Sequence, residues 1–529
     1  MNACSEAPSD DEAAEAPARR SLFKAVGTVS GITLISRLLG LIRDVAMASV
    51  FGLGALADAF YVAWTVPNLF RRVAGEGALS SALLPVYVEL RERLGKGAAG
   101  RLASALATRL ALVLALVVVL AELALAALPS VAPGWGGQEA LRLSALLLPY
   151  LWFICLAGLL SGVLQSEGDF ARPAFISVLL NLTWIGALGV AAWFDLAAPN
   201  RLTALALALC CGGGLQLAVI LRGAQRRKVP LRPTLKADPD LRRVWLLFIP
   251  MLIGAASEQF NILGDRLIAK AYVSDAGGVA ALYYSMRLVQ LPTALIGTAL
   301  ATVLFPAFAR IRSQHGDASL RAALDRSMRL IVFATLPAAV GLCLLSTEIV
   351  TLLFERGAFG SEAADRTARC LEFYAASVVM ISLNASQVRA YHARQDSVRP
   401  MWIGVFAVAL NLALNLLLVG PLEEAGLALA TSVSATFSFL LLAFGAGGLS
   451  LARLFTTAAR CAACCAVMAA GCLATRAALG PEASDVIAVL VPIAVAVPCY
   501  VGAAYALRSP ELAEALGRTR PGTPPPMSA

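Results

Sequence analysis

SRLLGLIRDVAMASVFGLGALADAFYVAWTVPNLFRRVAGEGALSSALLP, residues 36–85, decides how the chain is read. Two apolar runs long enough to enter a bilayer are joined by a short turn at 52–57. Each run carries arginine at depth, Arg37 and Arg43 in the first, Arg71 and Arg72 in the second. A cation in hydrocarbon costs about 3 kcal/mol even on insertion scales, so it faces a wet cavity or a partner. Two such helices in succession point to an internal site for something anionic.

The rest of the composition fits a membrane setting. Of 529 residues, 59% are hydrophobic and only 15% charged, and the mean hydropathy is +0.75. Soluble domains carry about 25% charged residues, so the fold class is an all-α polytopic membrane protein. The net charge of +9 is no nucleic-acid footprint, because the cations sit in short gaps between apolar runs. Eleven cysteines lie nearly all inside apolar runs, Cys461, Cys464, Cys465 and Cys472 among them, and read as small buried hydrophobes. The two histidines, His315 and His392, are not clustered, so no cofactor and no metal centre is expected. There is no cleavable signal peptide, and residues 1–20 read as a disordered, acidic, Ala- and Pro-rich cytoplasmic tail.

About fourteen transmembrane helices follow from the rule of about 20 apolar residues per crossing. The second, eighth and tenth carry internal proline or polar residues and are expected to bend. Lysine and arginine crowd alternate connections, above all residues 222–243, which places both termini in the cytoplasm of a bacterial inner membrane. Asp169-Phe-Ala-Arg172-Pro173 recurs as Asp396-Ser-Val-Arg399-Pro400, each opening a run with an asparagine, Asn181 or Asn411. Ala82-Leu-Leu-Pro85 with Arg91 echoes Thr302-Val-Leu-Phe-Pro306 with Arg310. The chain therefore divides into two six-helix lobes related by a parallel repeat, residues 21–225 and 244–450, joined by a basic linker at 226–243. A C-terminal helix pair at 451–507 and a cytoplasmic tail at 508–529 complete it.

On a helix, Arg37 and Asp44 share a face, Gly40 lies between them and Arg43 beside them. Pro67 bends the second span, after which Asn68 and Arg71 follow at helical spacing. Arg287, followed by Pro292, adds a cation in the eighth span. Arg37, Arg43, Asp44, Asn68, Arg71 and Arg287 are the substrate-binding candidates. A second set has a structural reading of similar weight. Asp58 could be only an N-cap, Arg72 and Glu76 only a helix-end ion pair, and Glu258 and Asn261 only polar faces of the seventh span. Asp265 and Arg266 read as a local pair. There is no GxxxxGK[ST], no GxGxxG after a strand and no GxSxG elbow, so transport by two rocking lobes fits better than catalysis. Guanidinium binds phosphate bidentately, which makes a phosphate or pyrophosphate the expected ligand.

Ser36-Arg-Leu-Leu-Gly-Leu-Ile-Arg-Asp44, Asp58-Ala-Phe, Pro67-Asn-Leu-Phe-Arg-Arg72 and Glu76-Gly-Ala resemble the MurJ (MviN) family of lipid II flippases, in the multidrug/oligosaccharidyl-lipid/polysaccharide exporter superfamily. The likeness recurs from Tyr283-Tyr-Ser-Met-Arg287 to Pro306 and at Phe354-Glu-Arg-Gly357. It implies an alternating-access flippase for the undecaprenyl-pyrophosphate-linked peptidoglycan precursor. It also implies that Arg37, Arg43, Arg71 and Arg287, with Asp44 and Asn68, line a central cavity, and that the last two helices form a groove for the lipid tail. Membrane lipids and lipid II are the implied partners, and a coupling ion stays open. The family often has acids beside its span-eight arginine where this chain has Met286 and Gln290, which puts ion coupling through those positions in doubt. The rival readings are a flippase for another polyprenyl-linked glycan and a MATE-like cation-coupled drug exporter.

Overall fold

The computed structural model describes residues 10–71, 78–131, 137–236, 238–294, 299–394, 396–445, 450–480 and 483–516, and the regular structure among them is helix throughout. In chain order these are α1 (Asp10–Phe51), α2 (Ala55–Phe70), α3 (Ala78–Val131), α4 (Gln138–Ser166), α5 (Ala171–Trp193), α6 (Ala198–Arg226), α7 (Leu241–Tyr272) and α8 (Gly278–Pro292). Then come α9 (Ala299–Leu344), α10 (Ser346–Phe354), α11 (Ser361–Ala393), α12 (Val398–Gly445), α13 (Leu451–Leu479), α14 (Asp485–Ala506) and α15 (Pro510–Ala515).

Length shows which helices hold two crossings. At 1.5 Å per residue, α12 would run about 70 Å, more than twice the hydrocarbon thickness. Its backbone leaves helical geometry at Glu423 (φ 54, ψ −138). α3 breaks likewise at Gly95 and α9 at Gly316. α1, α4, α5, α6, α7, α11, α13 and α14 supply one crossing each, and α2–α3, α8–α9 and α12 supply two each, which gives fourteen. Eight of the described helices are apolar enough to span by composition alone. α1 falls short because Arg37, Arg43 and Asp44 interrupt it.

Two of the three expected bends occur, at equivalent places in the repeat. The backbone widens to π geometry at Arg71, after Pro67, and at Thr293–Ala294, after Pro292. The tenth span does not bend: α11 is continuous from Ser361 to Ala393. Its hydroxyls bond back to their own helix, Ser377 to the Tyr374 carbonyl and Ser382 to that of Val378, and leave the ladder intact.

The chain packs into two compact units, residues 1–47 with 59–259 and residues 48–58 with 260–529. Trp184, Tyr61, Tyr150 and Phe60 fill the first. In the second, Cys464, Cys465, Met468 and Tyr500 of α13 and α14 pack on Phe333 and Leu336 of α9, so these cysteines serve as core hydrophobes. The repeat is visible in contacts. Asp169 accepts from the Arg172 backbone N–H and pairs with its side chain, as Asp396 does with Arg399. Arg91 donates to the Ser166 carbonyl, and in the second unit Arg312 donates to that of Ala393, both at 2.9 Å. Arg312 thus makes the contact that Arg91 makes, and the side chain of Arg310 lies outside the described residues.

The ends of the chain are more ordered than their composition suggests. α1 begins at Asp10, inside the Ala-rich stretch read as a tail, where alanine and glutamate favour helix. The connection between α6 and α7 is pinned along α3: Ser104 donates to the Pro230 carbonyl and accepts from the Arg232 N–H, and Thr108 accepts from the Thr234 N–H. Inside the C-terminal tail, α15 docks through the buried Glu511. Its carboxylate accepts from Thr457 at 3.0 Å and Ser509 at 2.8 Å and pairs with Arg329 of α9 and Arg460 of α13. Glu511→Ala would leave two arginines facing a hole, at a cost of about 2 kcal/mol. The thermal midpoint of the purified protein should fall by several degrees, and Glu511→Gln should recover part of the loss.

Candidate functional site

Within the first unit the site is built on α1, α2 and α5. Arg43 and Asp44 are both buried, and the Arg43 Nε and Nη2 donate to Asp44 Oδ1 at 3.0 and 2.7 Å. The carboxylate therefore serves its chain neighbour, not Arg37 as the helical spacing suggested. Arg43 Nη1 donates to Asn181 Oδ1 at 3.1 Å, and the guanidinium lies over the Trp184 ring, 4.6 Å from its centroid. Arg37 sits exposed on α1 and, among the described residues, makes no hydrogen bond or ion pair. On α2, Arg71 donates to Asn68 Oδ1 through Nε at 3.2 Å and Nη2 at 3.0 Å. Arg72 and Glu76 lie outside the described residues.

Asp58 has another place. It does not cap its own helix. Its Oδ2 accepts from the Gly277 N–H at 2.8 Å and its Oδ1 from the Ala280 N–H at 2.9 Å, so it caps α8. The first turn of a helix carries orphan donors and positive potential, which a buried carboxylate satisfies. The rest of segment 48–58 packs in the same second unit. Ser49 accepts from the Ala358 N–H at 2.8 Å, and a Cβ on Gly52 or Gly357 would lie within 2.4 Å of a carbonyl oxygen of the other strand of chain. Sequence position gives no sign of this placement.

Elsewhere in the second unit, Arg287 donates to Gln290 Oε1 at 3.5 Å. Asn261 belongs to a buried polar cluster rather than standing alone. Asn411 donates to Asn261 Oδ1 at 2.7 Å and to Asp265 Oδ1 at 2.9 Å, and Asn415 donates to the same Asp265 oxygen at 2.6 Å. Asp265 is thus more than half of a local pair with Arg266, whose guanidinium lies 5.6 Å from the Tyr283 ring centroid. The Oδ1 atoms of Asn411 and Asn415 are buried without a hydrogen-bond partner. The backbone of Glu258 lies on α7; its side chain is outside the described residues. An apolar groove of about 830 Å³ runs between α9, α11, α12 and α13, lined by Leu336, Val340, Val379, Leu383, Phe439 and Phe455 among others. α14 contributes no lining residue to it.

Sequence reasoning missed Trp184, Asn415 and the roles of Asn181 and Asn411. The two asparagines had been visible only as echoes of the repeat, and an amide inside an apolar run was the available signal.

Comparison with known proteins gives a consistent result. The family model described as lipid II flippase MurJ matches residues 47–484. A probable lipid II flippase MurJ of Rhizobium tropici is 34% identical over 446 residues, 83% of this chain and 81% of that protein. The lipid II flippase MurJ of Burkholderia cenocepacia is 33% identical, over 80% and 84%. Among solved structures, a lipid II flippase MurJ in an inward closed conformation superposes with a TM-score of 0.77 at 23% identity, covering 93% of this chain and 99% of its own. A multidrug resistance MATE family transporter superposes at 0.64 and 15%, covering 81% and 99%.

Asp58→Ala removes both acceptors from the start of α8 and should cost about 1–2 kcal/mol. Asp58→Asn, which keeps one acceptor, should cost about half of that. Thermal unfolding of the two variants checks the order, and equal midpoints for both and the parent would show that the cap carries no weight.

Proposed function

The chain belongs to the lipid II flippase MurJ family, a family of transporters and not of enzymes, and on that premise we propose that it carries lipid II across the bacterial inner membrane. The observation that carries this reading is the family match over residues 47–484. The chain supports it with intramembrane arginines held in place: Arg43 donates to Asn181 and Asp44, Arg71 to Asn68 and Arg287 to Gln290. A guanidinium fixed in orientation is prepared to bind an oxyanion through its remaining N–H donors. Cationic cargo would be repelled, which disfavours a drug-cation exporter. Arg37, Arg43, Arg71 and Arg287, with Asp44 and Asn68, are assigned to the pyrophosphate.

The basic connections put both termini in the cytoplasm, and the lipid moves from the cytoplasmic to the periplasmic leaflet by alternating access. The apolar groove beside α13 takes part of the polyprenyl tail, because a flippase must shelter the chain while the head crosses. For a coupling ion, the cluster of Asp265, Asn261, Asn411 and Asn415 is the candidate site that the side-chain chemistry supports. One carboxylate with amide oxygens, two of them buried and unpartnered, suits a hard monovalent cation.

Depletion of the protein in cells should leave lipid II on the inner leaflet in a leaflet-specific exposure assay, and normal outward exposure would end the proposal. Arg43→Ala or Arg71→Ala should fail to restore exposure while the protein still inserts. Arg→Lys at these positions should also fail if bidentate contact matters. For the ion, replacing sodium by choline should slow flipping by the parent about tenfold and leave the already slow Asp265→Asn variant unchanged. A parent indifferent to sodium would remove the ion from the scheme.

A further inference from the structure

We infer that Asn181 and Trp184, one turn apart on α5, are positioning residues that set the orientation in which the Arg43 guanidinium meets the substrate. The inference rests on the assignment of Arg43 to the pyrophosphate. Asp44 holds the Nε and Nη2 edge of the guanidinium. Asn181 takes Nη1, and Trp184 covers one flat face at 4.6 Å. Together they hold the group in one orientation.

The Asn181 amide is itself held the right way round. Its Nδ2 donates to the Ser36 carbonyl at 2.9 Å, which leaves Oδ1 to face the guanidinium. The Ser36 bond crosses from α5 to α1, so the amide locks one turn of α1 against α5 as well as orienting the cation.

Trp184 carries the more telling feature. It is fully buried and packs edge-on against Phe60 at 5.3 Å and Trp64 at 5.2 Å. Yet its indole Nε1–H has no acceptor. A buried donor left unmade is a standing penalty, and phenylalanine would fill an aromatic core without it. What tryptophan offers over phenylalanine at this place is the better ring for a cation. The residue is therefore kept for Arg43, not for packing alone.

Asn181 argues the same way. Its Oδ1 holds the guanidinium while its Nδ2 reaches the Ser36 carbonyl, a double task that a carboxylate, with no donor, cannot perform.

The test uses the purified full-length protein and lipid II, with affinity, flipping rate and thermal midpoint measured on each variant. Trp184→Phe should bind lipid II about tenfold more weakly, with a midpoint within a few degrees of the parent, since it loses cation–π attraction but no hydrogen bond. Asn181→Asp should lose at least about tenfold in affinity even in the fraction that is correctly folded. If Trp184→Phe and Asn181→Asp bind and flip as the parent does while Arg43→Ala is inactive, Arg43 keeps its assignment and the positioning role is wrong. If Arg43→Ala flips at the parental rate, the assignment itself fails. A Trp184→Phe protein that is destabilised but binds lipid II normally makes the tryptophan a packing residue, which also overturns the inference.

Discussion

A guanidinium inside a membrane span must be held, and how it is held determines what it can bind. In this protein residues 36–72 carry four arginines where a membrane protein of ordinary design would carry none. Amide oxygens hold Arg43, Arg71 and Arg287, and Arg43 also pairs with Asp44. These contacts remove the freedom of the side chains before any ligand arrives.

The rest of the architecture follows from where these residues can sit. Arg43, Asp44, Asn181 and Trp184 belong to the first unit, on α1 and α5. Segment 48–58 does the opposite. It continues α1 in sequence but packs with the second unit, with Asp58 closing the start of α8 and Ser49 bonded to Ala358. The chain therefore passes from one unit to the other between Met47 and Ala48, about one turn before the end of α1.

Much of this was legible in the amino acids, for definite physical reasons. Crossing count and repeat came through because apolar run length and Asp-x-x-Arg-Pro signals are local, and the bends at Arg71 and Thr293 because proline removes a ladder bond wherever it falls. Arg43, Arg71 and Arg287 stood out because charge in an apolar run is rare. What did not come through was partner choice. Helical spacing paired Asp44 with Arg37, but the adjacent Arg43 reaches the same oxygen once Asn181 and Trp184 draw it inward. Asp58 looked like a cap for α2, and the helix it caps begins some 220 residues later. The bend expected in α11 failed because spacing cannot show that Ser377 and Ser382 return their protons to their own helix. Local pattern fixes which residues are costly to bury, and only tertiary packing decides who relieves the cost.

The repeat makes that last point in its own terms. Asn181 and Asn411 occupy corresponding positions in the two halves, and each meets a buried charge on the first helix of its lobe. In the first unit the amide presents oxygen, and the charge is the cation Arg43. In the second it presents nitrogen, and the charge is the anion Asp265. An amide can serve either sign by turning over, since it carries an acceptor on one side and donors on the other. The asparagine position recurs in both halves while the charge beside it differs in sign, which an amide tolerates and a side chain committed to one sign would not.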